Sequence, residues 1–267
     1  MKKTYTLGVI GGGFMAKAIL DGAISKGIIS PQEIVVSEPS EERRKLFSKN
    51  NIHVVNDNIF TVNNSRFVLF SVKPQNFSAV ANHIKGADIP VIISIMAGVT
   101  KQSIQNFLGG NLRIARAMPN LPCSIGEGMT GLDANGLTVE EREFVKSLFL
   151  SVGKVILLNE GLLNAVTGLS GSGPAYVFLF MQSLVEAGIA QGLSENDSFM
   201  LALQTMKGGI KLIENNGGQS IDELIAAVSS KGGTTVAALE SLSFDNWKES
   251  VKRAVDCAVK RAEELSL

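Results

Sequence analysis

Seven consecutive residues, Ser229, Ser230, Lys231, Gly232, Gly233, Thr234 and Thr235, bring four hydroxyls and two bare glycine backbones together. They lead into a helical pattern of Val236, Leu239 and Leu242. A helix start carries unpaired N–H groups and a partial positive charge, so this stretch can receive a small anion. Gly232 and Gly233 have no side chain to hold a ligand off the backbone. The plainer reading of the same residues is an interhelix loop closed by a threonine cap. A second glycine-rich stretch comprises Thr167, Gly168, Leu169, Ser170, Gly171, Ser172, Gly173 and Pro174. A nucleotide fold by itself needs neither stretch.

The amino-terminal end offers different chemistry. Tyr5–Ile10 reads as a strand, followed at once by Gly11, Gly12, Gly13, Phe14, Met15 and Ala16, the pattern G-x-G-x-x-A, and then by a helix from Lys17 to about Ser25. Between a strand and a helix, such glycines permit a tight turn and bring a pyrophosphate close to the helix N-terminus. The next strand, Ile34, Val35 and Val36, ends in Ser37 and Glu38, about where ribose-reading residues fall. Glu38 favours the 2′-hydroxyl of NADH, whereas Ser37, Arg43 and Arg44 suit the 2′-phosphate of NADPH. Both arginines also read as a solvated helix face paired with Glu41 and Glu42. The coenzyme choice stays open at this level.

These sites must be carried by a chain of 267 residues with 45% hydrophobic content, enough for one large or two ordinary domains. Lys plus Arg equals Asp plus Glu at 25 each, so bulk charge steers it toward neither nucleic acid nor an acidic membrane surface. Cys123 and Cys257 lack metal spacing and read as small core residues of a reduced, cytoplasmic protein. His53 and His83 have no partner constellation, which argues against a metal site or a histidine-based triad and for surface positions. Lys2 and Lys3 lead into a strand rather than an apolar leader, and the apolar runs at 91–99 and 175–181 are too short to span a bilayer.

Strand and helix patterns alternate through about Asn159, as in a doubly wound α/β fold with a mostly parallel sheet. Strands are expected at 67–71, 91–94, 112–116, 129–132 and 155–158, with helices at 41–49, 77–84, after Thr100, and from the Thr138 capping box to 151. Beyond Gly161 the strands stop. Helices are expected at 174–190, from Ser194 to before Asn215, after Ser220, at 234–242 and at 246–265. The expected division is a Rossmann-type domain at 1–162 and an all-helical domain at 163–267. The near-continuous apolar face from Ala175 to Ala190 calls for burial, preferably against a second copy of the chain, otherwise within its own domain.

Taken in order, Gly11 to Met15, then Ser71, Val72, Lys73 and Pro74, then Met118, Pro119, Asn120, Leu121 and Pro122, then 167–176 and 229–235, resemble the pyrroline-5-carboxylate reductase family over essentially the whole chain. The resemblance implies reduction of 1-pyrroline-5-carboxylate to L-proline with NADPH, less often NADH, by dimers that can assemble into decamers. It implies that Ile10, Gly11, Gly12, Gly13, Phe14 and Met15 lie along the pyrophosphate, Ser37 at the adenosine ribose or its phosphate, and Asn56 at the adenosine end. Ser71, Val72, Lys73, Pro74, Ile95, Met96, Ala97 and Gly98 would line the channel to the nicotinamide. Residues 228–235 would hold the substrate, with Ser230, Gly233 and Thr234 around its carboxylate and the Thr235 hydroxyl near the ring nitrogen. Lys231 departs from the family, which usually carries proline there, and so relaxes the loop.

The chemistry fits that implication. Hydride transfer to a carbon held at near-contact distance is chiefly a problem of positioning. A cyclic imine that arrives protonated needs no strong acid from the protein, which suits a chain with two histidines. Lys73, beside the channel, is a candidate acid–base group or a structural strand end. Two alternatives stand beside this reading. A β-hydroxyacid dehydrogenase would place a lysine on the interdomain helix, where 177–182 has none, and a non-catalytic NADPH sensor would not need the hydroxyls of 229–235.

Overall fold

The strands that open the chain are rich in Val, Ile and Phe because helices cover the sheet on both faces and bury most of their side chains. In the computed structural model, which describes residues 3–215 and 217–265, eight strands form one sheet: β1 Tyr5–Ile10, β2 Ile34–Ser37, β3 His53–Val55, β4 Ser65–Phe70, β5 Val91–Ser94, β6 Ile114–Met118, β7 Gly128–Asp133 and β8 Gly153–Leu157. Their spatial order is β3-β2-β1-β4-β5-β6-β7-β8. All pair in parallel except β6 with β7. The sheet is thus mostly parallel, and its order reverses between β1 and β4.

Helices α1 Phe14–Ser25, α2 Glu41–Ser48, α3 Asn58–Asn64, α4 Phe77–His83, α5 Lys101–Leu108 and α6 Val139–Leu150 follow strands of this half. Alternating side chains split the core in two. Leu7, Val9, Phe67 and Leu69 join Ile19, Phe47 and Phe149 on one face. Ile10, Val68 and Phe70 join Phe77, Ile84 and Ile104 on the other. The Thr138–Glu141 capping box is formed as expected. The short β3 and α3 fall in a polar stretch with no apolar period, and sequence reasoning passed over both.

After β8 the chain continues through α7 Leu163–Val166, α8 Gly173–Ala190, α9 Glu195–Glu214, α10 Ile221–Ala227, α11 Thr234–Phe244 and α12 Trp247–Glu264. α9 ends before Asn215, its C-cap, as expected, and Asn216 lies outside the described residues. The chain divides into two compact units, Met1–Ser172 with Cys257–Leu267, and Gly173–Asp256. The first unit runs ten residues past position 162 because α7 packs on the sheet, with Leu163 and Val166 seated over Gly131 of β7.

The glycine-rich Thr167–Gly171 is a π-helical turn between α7 and α8. Helix therefore runs on for 31 residues, Glu160–Ala190, long and apolar enough by length and composition to cross a membrane. The apolar run at 175–181, expected to be too short to span a bilayer, lies inside this longer helix. Among the described residues of α8, none is buried. Cys123 is buried, but Cys257 is exposed, contrary to its reading as a core residue. His53 and His83 are both at the surface.

Candidate active site and coenzyme cleft

The crevice at the order reversal of a doubly wound sheet lies beyond the carboxyl ends of its strands. Here β1 ends at Ile10 and β4 at Phe70, and the chain turns out of both side by side: the Ser71 N–H donates to the Ile10 carbonyl at 3.0 Å. The Gly11 N–H donates to the Ser37 carbonyl of β2 at 2.9 Å. Gly11 adopts φ +93, and a Cβ there would stand 2.8 Å from the Ser71 carbonyl oxygen. No other residue fits that bend without moving the sheet.

Gly13 is the N-cap of α1 and has no side-chain cap. A Cβ on Gly13 would meet only the Ser71 oxygen, at 4.0 Å, so this glycine is not needed for packing. Its bareness keeps the helix start open to an anion. A cavity of about 750 Å³ lies over this turn. Gly11, Gly12, Gly13, Phe14, Met15, Glu38, Ser71, Val72 and Lys73 line it, together with Lys17, Arg43 and Asn76, of which Lys17 and Asn76 were not foreseen. Its size and its uncapped helix start fit a dinucleotide.

Other expected residues lie elsewhere. Ile10 and Met96 are buried in the core behind the turn. Pro74 opens a short 3₁₀ turn after Lys73, and Asn56 is exposed beyond β3. Ile95 and Ala97 are half-buried past the end of β5. Gly98, at φ +77, faces the last turn of α12, where a Cβ would reach the carbonyls of Leu265 and Ala262 at 3.0 and 3.1 Å. Ser37 is buried, and its hydroxyl donates to Asn58 Oδ1 at 2.6 Å. Asn58 belongs to the overlooked α3, so no sequence signal announced it. The Glu38 carboxylate is buried as well, accepting from the Gly12 N–H at 2.8 Å and the Ser40 N–H at 2.9 Å.

In the second unit, Gly233 is the N-cap of α11, with no side-chain cap. The threonines are therefore not caps: Thr234 and Thr235 are the first two helical residues. Gly232 turns the chain at φ +73, and the Gly233 N–H donates to the Ser230 carbonyl at 2.9 Å. Ser230, Lys231 and Thr234 are exposed and Thr235 is half-buried. Hydroxyls and uncapped amides thus share one helix start, an arrangement able to grip a carboxylate.

Two polar clusters were missed. Arg116, buried in β6, pairs with Glu160 at 3.2 Å, and Glu160 also accepts from the Lys101 N–H at 2.7 Å. Lys101 in turn reaches Asp133 at 3.1 Å. An arginine inside the otherwise apolar β6 was the available signal. Asn120 is the other: its Oδ1 accepts from the Met129 N–H at 2.9 Å, and its amide donates to the Ser170 carbonyl at 3.2 Å and hydroxyl at 3.3 Å. One side chain thereby ties β7 to the π-turn. Cys123 sits beside it in sequence, but burial pushes its thiol above the ordinary value, so it is no nucleophile at neutral pH.

Fold and cleft together define the class, a Rossmann-type NAD(P)H-dependent oxidoreductase. Residues 160–265 match the family model for pyrroline-5-carboxylate reductase dimerisation, and residues 6–98 that for NADP oxidoreductase, coenzyme F420-dependent. A pyrroline-5-carboxylate reductase of Synechocystis is 40% identical over 265 residues, 97% of each chain. Among solved structures, the enzyme of Coxiella burnetii matches with a TM-score of 0.88 and 36% identity, over 99% of this chain and 100% of its own. A pyrroline carboxylate reductase of Plasmodium falciparum with NADP bound matches with a TM-score of 0.89 and 29% identity, over 100% of both. The chain belongs to the pyrroline-5-carboxylate reductase family.

The Asn120 clamp yields a local expectation. Asn120→Ala should speed amide hydrogen exchange at Ser172, whose N–H closes the π-turn on the Thr167 carbonyl at 2.8 Å. Protection in β1 and β4 should hold, and stability should fall by about 1 kcal/mol. Unchanged exchange at Ser172 would show that the turn stands without Asn120.

Proposed function

We propose that this chain reduces 1-pyrroline-5-carboxylate to L-proline, the last step of proline biosynthesis, with its coenzyme along Gly11–Met15 and its substrate at Ser230–Thr235. The observation that carries the reading is the pair of uncapped helix starts, at Gly13 and at Gly233, each left open by glycine. NAD(P)H supplies a hydride from nicotinamide C4 when bound. The N-terminal amides of α1 receive its pyrophosphate. Ser71, Val72 and Lys73 line the way to the nicotinamide, with Pro74, Ile95 and Ala97 beside them at the strand ends and Gly98 packed on α12 as a support, and Lys73 acts there as a positioning group. Ser37 and Met96 act from behind as supports, and Asn56 approaches the adenosine end.

At the other helix start, the backbone of Gly232, Gly233 and Thr234 and the Ser230 hydroxyl hold the carboxylate and select the ring face. Thr235 orients the ring nitrogen by a hydrogen bond from its hydroxyl. The proton on that nitrogen arrives with the substrate as the iminium, so no general acid is required. Lys231 projects from the loop and adds attraction for the anion without closing it.

The working form is a homodimer. Val177, Phe178 and Leu179 on α8 are more than half exposed in the single chain, at 51%, 59% and 64%. Water does not leave such a face bare, and the family model matched by 160–265 describes dimerisation. A second copy therefore covers this face, in preference to lipid, and a decamer built from such dimers is the larger assembly the family suggests. A balanced charge gives no draw toward nucleic acid, and the setting is the cytoplasm.

Two substitutions divide the roles. Gly13→Val should weaken coenzyme binding by about a hundredfold, some 3 kcal/mol, with a melting temperature near that of the parent. A variant that still binds coenzyme normally would move the pyrophosphate away from α1. Thr235→Ala should lower kcat/KM for the pyrroline acid at least tenfold, about 1.4 kcal/mol, while coenzyme affinity holds. Unchanged steady-state kinetics would remove Thr235 from the reaction.

A further inference from the structure

A second cavity, of about 300 Å³, lies between the ends of β7 and β8 and the first turn of α6. The coenzyme cleft opens beyond the carboxyl ends of the parallel strands β1 and β4. β7 runs antiparallel to β6 and so finishes at the opposite end of the sheet, with Asp133 beside Arg116, and β8 runs parallel to β7. Nothing in the proposed reaction uses this cavity.

Its walls are largely apolar. Leu132 contributes a wholly buried side chain, and Leu157 and Leu162 contribute half-exposed ones. The polar groups are few and held in place. Asn135 is fixed through its backbone: its N–H donates to Asp133 Oδ1 at 2.9 Å, and its carbonyl accepts from Lys101 Nζ at 3.1 Å. Its side-chain amide donates to Asn159 Oδ1 at 3.1 Å, which leaves the Asn159 amide N–H groups to the cavity.

Arg142 supplies the charge. It is half-buried and lines the cavity, and its guanidinium has no hydrogen bond or ion pair among the described residues. The carboxylates beside the lining residues are engaged elsewhere, Asp133 by Lys101 at 3.1 Å, Glu160 by Arg116 at 3.2 Å and Glu141 by Arg113. Glu143 is exposed and lies off the cavity, and no carboxylate lines it. A guanidinium without a partner, set against leucine walls, suits an anion that carries an apolar body. An ammonium or iminium group would find no counter-charge there, which sets this cavity apart from any site for the pyrroline acid or proline.

We infer that this cavity is a second binding site, separate from the coenzyme cleft, for a small aliphatic monocarboxylate. Arg142 and the Asn159 amide hold the carboxylate, and the leucines cover the chain. The volume limits that chain to about six carbons.

Leucine-methyl NMR spectra of the full-length protein, titrated with hexanoate, test this. Hexanoate should shift the Leu132, Leu157 and Leu162 methyl signals saturably, and saturating NADPH should leave those shifts in place. Hexylamine, an equally long chain of opposite charge, should bind at least tenfold more weakly. Arg142→Gln should weaken hexanoate at least tenfold, with a melting temperature near that of the parent. Absent or unsaturable shifts would overturn the inference, as would equal binding of hexylamine, displacement by NADPH or unchanged affinity in Arg142→Gln. Shifts confined to other leucines would place the carboxylate elsewhere and overturn it too.

Discussion

Bare amide groups gather at one bend of this chain, where the proposed pyrophosphate would need them at close range. Gly11 carries the strand out of the sheet with a positive φ, wedged against Ser71 and tied to the carbonyl of Ser37. Three strands, β1, β2 and β4, thus converge on one turn. Gly12 then supplies the amide that holds Glu38, and Gly13 leaves the start of α1 without a cap. Any shift of the bend would disturb the helix start and the Glu38 carboxylate together. The bulk of the first unit, with buried strands and a core on each face, serves to keep that geometry fixed.

The helical half obeys another constraint. Its long α8 has no buried residue in the single chain, and within the second unit only Ser198 and Ala202 are buried among the described residues of α9. Such helices gain most of their stability from apolar contact rather than propensity. Within the single chain α8 packs on α9 and Phe180 meets Trp247, which leaves much of its apolar surface open, and residues 160–265 match a family model that describes dimerisation. The π-turn that precedes α8 is held by Asn120 and by the Thr167 carbonyl, a local arrangement that recurs where a helix carries function.

Much of this was legible in the residues, for stated physical reasons. β1, β2 and β5 announce themselves as short apolar runs closed by glycine or polar residues. The Thr138 and Ser220 boxes mark helix starts because their serine, threonine and glutamate side chains bond local amides. The glycine turn was recognisable because a strand, three glycines and a helix leave few other folds. What stayed hidden depends on distant partners. His53–Val55 and Asn58–Asn64 have no apolar period, so their place beside β2 emerges only from pairing. Thr167–Gly171 showed in the sequence only as part of a glycine-rich stretch, because its four small or hydroxyl residues disguise a π-turn. The bonds of Ser37 to Asn58 and of Arg44 to the Glu38 and Pro39 carbonyls require knowing where those partners lie.

The account as a whole comes down to direct transfer of hydride from a coenzyme seated on the glycine turn to the carbon of a carbon–nitrogen double bond. Coenzyme deuterated at the transferring position of nicotinamide C4, incubated with the protein and 1-pyrroline-5-carboxylate, tests that claim by mass spectrometry of the product. The account predicts proline carrying one deuterium, on the ring carbon formerly doubly bonded to nitrogen, with one coenzyme oxidised per proline formed. Unlabelled proline, or coenzyme oxidised without proline, would contradict it.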